Sequence, residues 1–541
     1  MIIGAGSAGC VLAERLSRDS RSQVLLLEAG SDNRSPLIDM PRGMAKIWMD
    51  PRYYWHFPIE PEPIRPPGET WVYGKGLGGS SAVNGTWYYR GQPRDFDGWG
   101  EQGNPGWNWA EIERCYREME DYREADADAS RGRGGPLVVT ASRDRSPLVR
   151  AILEAGRQFG LPVLEDVNQP GTDGLGATQM TVDRRGVRVS AYSAFLKPAV
   201  SRENLTIRTG MQVHRILFEG GRARAVAYGP VDKRDGSVRQ AEARIEVIVC
   251  AGVLQSPKLL QLSGIGPRLL LEQHGIAVEH DNPAVGSQLA EHMMVALSYR
   301  LQRVPGLNRE FRGWRLWRNA LQYLFTRTGR MASLAPEVSA MLSTRGEHDW
   351  PDLQLGISPF SMQSSPEDKP EAGRGTTERQ PGITVVGFYL RPHSRGIWEI
   401  RSSDAAAPPR VRANWLQAEA DREALLTMVK SIRRFMRQPA LADYVGEEII
   451  PGPQVDDDAA ILEAAGWMLS SGLHGTGTCR MGADATQAVV DARLRVHGVA
   501  GLRVVDCSVM PAPMSANTNG PAMALAWRAA ELILEDRAAG T

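Results

Sequence analysis

The chain has 541 residues, 42% apolar and 23% charged, with 63 Lys plus Arg against 63 Asp plus Glu and a net charge of +0. That length calls for two domains or more, and the even charge excludes a nucleic-acid surface or general electrostatic capture of an anionic membrane as the main purpose. Five scattered cysteines without metal spacing, no apolar run of membrane-span length and no export signal at the N-terminus predict a cytoplasmic protein free of structural metal, disulfide framework and transmembrane anchor.

Met1-Ile2-Ile3 reads as a strand, followed by Gly4-Ala5-Gly6-Ser7-Ala8-Gly9 and a helix with Ala13 and Leu16 at helical spacing. Val24-Leu25-Leu26-Leu27 then reads as a buried parallel strand ending at Glu28. In such a βαβ unit Gly4 allows the tight turn, Gly6 lets a pyrophosphate approach the backbone and Gly9 lets helix and strand pack closely. The pyrophosphate would meet free N–H groups at the helix N-terminus. Glu28, nineteen residues after Gly9, is placed to accept hydrogen bonds from an adenosine ribose and to repel a 2′-phosphate. The motif alone does not separate FAD from NAD. With three residues before Gly4 the first strand is short, central strands running about five or six residues. Either the sequence starts late or a shortened strand is tolerated.

Gly74-Lys75-Gly76-Leu77-Gly78-Gly79-Ser80-Ser81-Ala82-Val83-Asn84-Gly85 is a second Gly-rich stretch. With no strand read before it and no Walker lysine, a P-loop is excluded. Its alternatives are a surface linker and a loop that brings many backbone N–H groups against a planar or phosphorylated ligand. Trp314, Trp317, Leu321 and Leu324 recur at helical spacing in an Arg-studded segment. An ordinary helix burying that apolar face is the expectation, with a hydrophobic gate or a surface helix touching lipid or a partner as alternatives. Residues 361–380 read as an active-site lid or a loop excursion. The runs 382–389 and 396–400 read as strands of an antiparallel sheet.

His474 lies in Ser471-Gly472-Leu473-His474-Gly475-Thr476-Gly477-Thr478-Cys479-Arg480-Met481-Gly482, outside any amphipathic pattern. An imidazole there can take a proton near neutral pH. Asn517, in Ala516-Asn517-Thr518-Asn519-Gly520-Pro521, offers an amide to the oxygen that loses it. A loop His capping a turn beside an Asx-turn is the plain alternative.

The opening βαβ unit, the loop at 78–84, the run Gly252-Val253-Leu254-Gln255-Ser256-Pro257-Lys258-Leu259-Leu260, and the His474 and Asn517 segments together resemble the glucose–methanol–choline (GMC) oxidoreductases. The likeness runs from Gly4 to about Ile533. It implies an α/β fold, in which a Rossmann-like FAD-binding domain joins a second, substrate-binding domain built on an antiparallel sheet with helices. It places FAD binding at 1–145, 200–300 and 465–541 and substrate binding at 146–199 and 301–464. Gly4, Gly6, Ser7, Ala8, Gly9 and Glu28 would hold the ADP half of FAD. Gly78, Gly79, Ser80 and Asn84 would lie along pyrophosphate and flavin, Val213 by the adenine and Asp506 near the ribityl and pyrophosphate, with Asn517 and Thr518 also binding the cofactor. His474 would be the catalytic base and Asn517 its partner, and no metal is implied.

The implied reaction is oxidation of an alcohol, with oxygen or a separate electron acceptor returning the flavin to its oxidised state. Trp content and even charge favour an uncharged, apolar or aromatic alcohol. Alternatives are a choline dehydrogenase-type activity, a hydroxynitrile lyase with structural FAD, a photodecarboxylase and a nicotinamide dehydrogenase. Choline would want an aromatic cage and a carboxylate. Glu337 is the acid considered for it, with a solvent-facing position as the commoner expectation.

Overall fold

The computed structural model describes residues 1–541 apart from 65–67, 125–129, 172, 232–237, 335, 345–349, 363–376 and 541. A five-stranded sheet runs in the order Leu502–Val504, Val247–Val249, Ile2–Ile3, Val24–Leu27, Leu205–Arg208. Every neighbouring pair in it is parallel. Its Val, Ile and Leu runs are buried, as strands covered on both faces must be. The short strand Ile2–Ile3 is central nonetheless, paired with Ile248 and Val249 on one side and Leu26 and Leu27 on the other.

Helix Ser7–Leu16 leaves this sheet through the first Gly turn. A Cβ on Gly9 would lie 1.9 Å from the Gly4 carbonyl oxygen, so the helix can sit on the turn only because that atom is missing. Helix Asn519–Ala538 packs on Ser7–Leu16 and is buried through Met523, Leu525, Ala526, Ala529 and Ala530. Apolar side chains all round, not on one stripe, mark it as a core helix.

The second sheet is antiparallel throughout. Its order is Val445–Ile450, Met293–Leu301, Gly382–Tyr389, Leu353–Ser358, Val338–Leu342, Gly174–Ala177, with Ser470–Ser471 added to Met293–Leu301. Helix Glu419–Met436 covers one face with Leu425, Met428, Val429, Ile432 and Phe435, spaced as an amphipathic helix requires. The opposite face carries the register line Ser470, Met294, Phe388, Gln354.

The structure departs from the sequence reading in several places. A strand, Thr70–Gly74, does precede the second Gly-rich stretch, paired antiparallel with Tyr54–Pro58. Its short apolar core, Trp71-Val72-Tyr73, gave too little alternation to be read as a strand. A hairpin strand is not the parallel strand of a P-loop, so that exclusion stands. Ile397–Glu399 pairs with Arg410–Arg412 in a separate ribbon, outside the seven-stranded sheet. Helix Gly313–Thr326 buries Asn319 and Tyr323 and leaves Trp314, Trp317, Leu321 and Leu324 exposed, the reverse of the expected packing. Residues 363–376 of the expected loop lie outside the described residues. Among the described residues no helix is long and apolar enough to cross a membrane.

Gly9→Ala forces its methyl against backbone with no flexible neighbour to yield. The expected loss is about 1–3 kcal/mol of unfolding free energy, as for overpacking in a core, measured by denaturant titration.

Candidate active site

The two sheets meet across a cavity of about 600 Å³. On the parallel-sheet side, helices Ser7–Leu16 and Asn519–Ala538 both begin at its wall, and neither N-terminus is capped by a side chain. Free N–H groups and the positive ends of two helix dipoles therefore face one space, which suits an anion. Ser7 Oγ donates to Asn519 Oδ1 at 2.8 Å, while Asn519 Nδ2 is buried with no partner among the described residues. A Cβ on Gly6 would meet no atom within 4 Å, so its backbone is open to an incoming group. These features fit the pyrophosphate of a dinucleotide.

Glu28 ties the two Gly-rich loops together. Its Oε2 accepts from Ala5 N at 2.8 Å, and its Oε1 from Gly30 N at 2.7 Å and Gly76 N at 2.9 Å. With one donor on Oε2, a ribose hydroxyl still has a lone pair to bond. Asp506 Oδ2 accepts from Gly252 N at 2.9 Å and Ser256 Oγ at 2.6 Å, aligning the start of helix Ser256–Leu262 with the cavity. Val213 lies in an adjoining hollow of about 80 Å³ that also touches Gly4 and Glu28.

Gly4, Gly6, Ser7, Ala8, Glu28, Gly79, Ser80, Asn84, Asp506, Asn517 and Thr518 thus share the main cavity wall with His474. Gly9 and Gly78 stand behind it: Gly9 under the first turn, and Gly78 donating its N–H to the Ala5 carbonyl at 2.8 Å.

His474 is aimed by the chain on both sides of it. Ser470–Ser471 pairs with Met293 and Met294, and Gly472 N donates to the His292 carbonyl at 3.0 Å. Leu473 then takes a left-handed conformation, φ 58°, a costly one for a residue with a side chain. His474 N closes the turn by donating to Glu291 Oε1 at 2.8 Å. The imidazole is held at both nitrogens. Asn517 Nδ2 donates to Nε2 at 3.0 Å, and Nδ1 lies 3.1 Å from His292 Nδ1. Gln354 Nε2 donates to Asn517 Oδ1 at 2.9 Å and so orients that amide.

An amide nitrogen can only donate, so His474 Nε2 carries the lone pair and Nδ1 the hydrogen, shared with His292 Nδ1. Burial, reinforced by the neighbouring His292, holds the His474 pKa well below the ordinary imidazole value. Burial pushes His292 down to about 3. The same dryness raises Glu291 to about 8, against the backbone hydrogen bond from His474 that favours its charged form. Burial thus pushes all three groups toward their uncharged forms.

Phe388 lies 5.4 Å from the His474 ring and Trp87 5.7 Å from Phe388, centroid to centroid. Trp87 reaches this position because strand Leu353–Ser358 carries a glycine beneath it. A Cβ on Gly356 would sit 1.9 Å from Trp87 Cη2. Glu337 corrects an expectation: it is buried, accepts from Ser142 Oγ at 2.6 Å and stands outside the cavity wall, with its pKa raised by burial.

His292, Glu291, Gln354, Phe388, Trp87 and Asn519 escaped the sequence reading as site residues. Gln354 had a visible signal, a polar side chain inside the apolar run Leu353-Gln354-Leu355-Gly356-Ile357. His292 and Glu291, side by side ahead of the apolar run Met293-Met294-Val295, had a weaker one.

The family profile described as GMC oxidoreductase matches residues 1–294 and, for its C-terminal part, 392–526. A protein named oxygen-dependent choline dehydrogenase from Photobacterium profundum is 35% identical over 99% of this chain and 92% of its own length. One of the same name from Pseudomonas fluorescens is 36% identical over 98% of this chain and 93% of its own. Among solved structures, pyridoxine 4-oxidase from Mesorbium loti superposes with a TM-score of 0.85 at 30% identity, covering 99% of this chain and 98% of that one. A formate oxidase superposes with a TM-score of 0.89 over 99% of this chain and 98% of that one, at 24% identity a likeness of fold alone. The chain belongs to the GMC oxidoreductase family, FAD-dependent enzymes acting on CH–OH groups.

Proposed function

We propose that this flavoenzyme oxidises an uncharged alcohol with an apolar or aromatic body to the aldehyde or ketone, with His474 as base and Asn517 holding the reacting oxygen. The observation that carries the substrate class is the wall beside the imidazole, made of Trp87, Met294, Phe388 and Leu473. The carboxylates in the whole described wall are Glu28, Glu69 and Asp506, each already accepting a hydrogen bond from the chain.

The residues at the two uncapped helix N-termini and the two Gly-rich loops would hold the FAD pyrophosphate, Glu28 the ribose and Val213 the adenine edge. Asp506 and Asn84 would face the ribityl and flavin portions. When bound, FAD accepts the two electrons and the hydrogen that leave the carbinol carbon. The division into cofactor segments 1–145, 200–300 and 465–541, with substrate segments between them, belongs to the same proposal.

An alcohol surrenders its α-hydrogen readily only as its hydroxyl proton leaves. The Nε2 lone pair of His474 is the acceptor for that proton once the hydroxyl takes the place of the Asn517 Nδ2 donor, whose other hydrogen is left to hold the oxygen. His292 Nδ1, taking the hydrogen of His474 Nδ1, fixes the tautomer that puts the lone pair on Nε2. The imidazolium formed is poorly solvated in this dry pocket, so it is stabilised chiefly by the alkoxide beside it. Proton and alkoxide charge develop together there, which favours the transition state over either separated ion.

Choline is the second reading, supported by the names of the relatives and by the aromatic wall. Against it stand Glu291, raised by burial to about 8 and turned to the His474 backbone, and Glu337, outside the wall.

Anaerobic mixing with a benzylic alcohol, a medium-chain aliphatic alcohol and choline decides between the two. Bleaching of the flavin by the uncharged alcohols, and not by choline, is expected; bleaching by choline alone moves the assignment to the second reading. Carbonyl product and cyanide from a cyanohydrin, with no bleaching, would make it a lyase. Repeating the panel under oxygen and with an artificial acceptor identifies the reoxidant.

His474→Ala should slow flavin reduction by about 10²–10⁴-fold while the visible flavin spectrum stays intact. A normal reduction rate would acquit His474. Because burial lowers the His474 pKa, kcat/KM should show no acid limb near pH 6.5, the limb lying at lower pH. Glu291 sets a second pH dependence. Its folded pKa of about 8 exceeds the ordinary 4.5, so the folded state binds the proton more tightly and stability falls as pH rises between those values. In thermal melts across that window Glu291→Gln should flatten the fall.

A further inference from the structure

We propose that the exposed face of helix Gly313–Thr326 rests on the surface of an anionic lipid bilayer. Trp314, Trp317 and Phe325 are 68%, 72% and 84% exposed, and Leu321 and Leu324 about half. At about 100° per residue these five fall within roughly a third of the helix circumference. The buried pair, Asn319 and Tyr323, lies on the opposite side and fastens the helix to the protein. Asn319 Nδ2 donates to the Glu310 carbonyl at 2.9 Å, and Tyr323 Oη donates to the carbonyls of Asp39 and Gly186 at 3.1 and 3.0 Å. A helix held by its polar side, with two indoles and a phenyl ring turned outward, is inverted relative to a helix that serves the core.

The charge around it selects the occupant. From residue 303 to 330 the chain carries seven arginines, no lysine and one acid, Glu310. Glu310 pairs with Arg315 and Arg318, Asp144 with Arg330 and Asp443 with Arg303, so cationic groups still outnumber anionic ones by seven to three. Indole rings at headgroup depth flanked by arginines match an interfacial helix on negatively charged lipid. A second copy of the chain fits less well. A two-fold contact sets the same patch against itself, which brings arginine-rich margins together. The helix also sits beside the stretch 36–48, through Tyr323, Met40 and Met331, and that stretch gives Met44 and Trp48 to the cavity wall. A membrane there would lie next to one wall of the active site.

The test is sedimentation of the FAD-loaded enzyme with vesicles, and its readout does not depend on the substrate assignment. Wild type should pellet with vesicles of equal phosphatidylcholine and phosphatidylglycerol, and less so with phosphatidylcholine alone or at high salt. Combining Trp314→Ser, Trp317→Ser and Phe325→Ser should weaken binding on the order of tenfold or more. Flavin content and turnover of a water-soluble alcohol should be unchanged in that variant, since the three side chains touch neither cavity nor core. Wild type remaining in the supernatant with both vesicles, equal binding to both, or undiminished binding by the triple variant would each overturn the proposal. A wild-type dimer in solution that the variant splits would assign the face to a second copy instead.

Discussion

The hydrogen bond between Asn517 and His474 is where the two halves of the molecule are joined at the chemistry. His474 arrives from the antiparallel sheet, three residues beyond a strand paired to Met293 and Met294. Asn517 arrives from the loop that starts helix Asn519–Ala538, which is packed on the first helix of the parallel sheet. One sheet therefore presents the base and the other fixes its partner, while Gln354 on the antiparallel sheet clamps the amide from a third direction. A shift of either sheet by an ångström would be felt at this contact, and reactions that depend on alignment are sensitive to errors of that size.

Dryness gives the contact its chemical character. His474, His292 and Glu291 are bonded in sequence, and burial moves each toward its neutral form. An uncharged cluster avoids the cost of burying unpaired ions, which in a core amounts to several kcal/mol per charge. It also favours the unprotonated base at neutral pH. A cost follows: a base whose conjugate acid is so poorly solvated can hold a proton only against a negative neighbour. The site is thereby matched to a reaction in which an alkoxide forms alongside, and poorly matched to one that leaves an isolated imidazolium.

The parts of this arrangement that sequence made legible are those whose cause is local. Gly4 and Gly9 stand in a turn where each missing Cβ has a nearby reason, and the run Val24–Leu27 declares a buried strand by composition alone. His474 was visible because Gly and Thr neighbours gave it no packing role. What stayed hidden depends on partners far along the chain. Gln354 reaches Asn517 across 163 residues, and Glu337 is buried against Ser142 across 195. Only sheet register brings Gln354 beside Phe388 and both toward the imidazole. The helix at 313–326 failed for another reason. Periodicity identifies an apolar face, but it says nothing about what that face meets, and the same pattern suits a core or a membrane surface.

A whole-chain charge balance misleads at the length scale of a single helix. A net charge of +0 describes the field far from the protein, where contributions of both signs have merged. In salt at physiological strength that far field is already gone, because screening acts within about 8–10 Å. A lipid headgroup feels the groups within that distance and no others. Around the Trp314 helix those groups are mostly arginines, seven against the three acids that pair with them. Capture by an anionic surface thus needs no overall positive charge; it needs a cationic margin around an apolar face, small enough to escape the average. Trp314, Trp317 and Phe325 supply that face, and the polar seat of Asn319 and Tyr323 explains why the protein does not fold it inward.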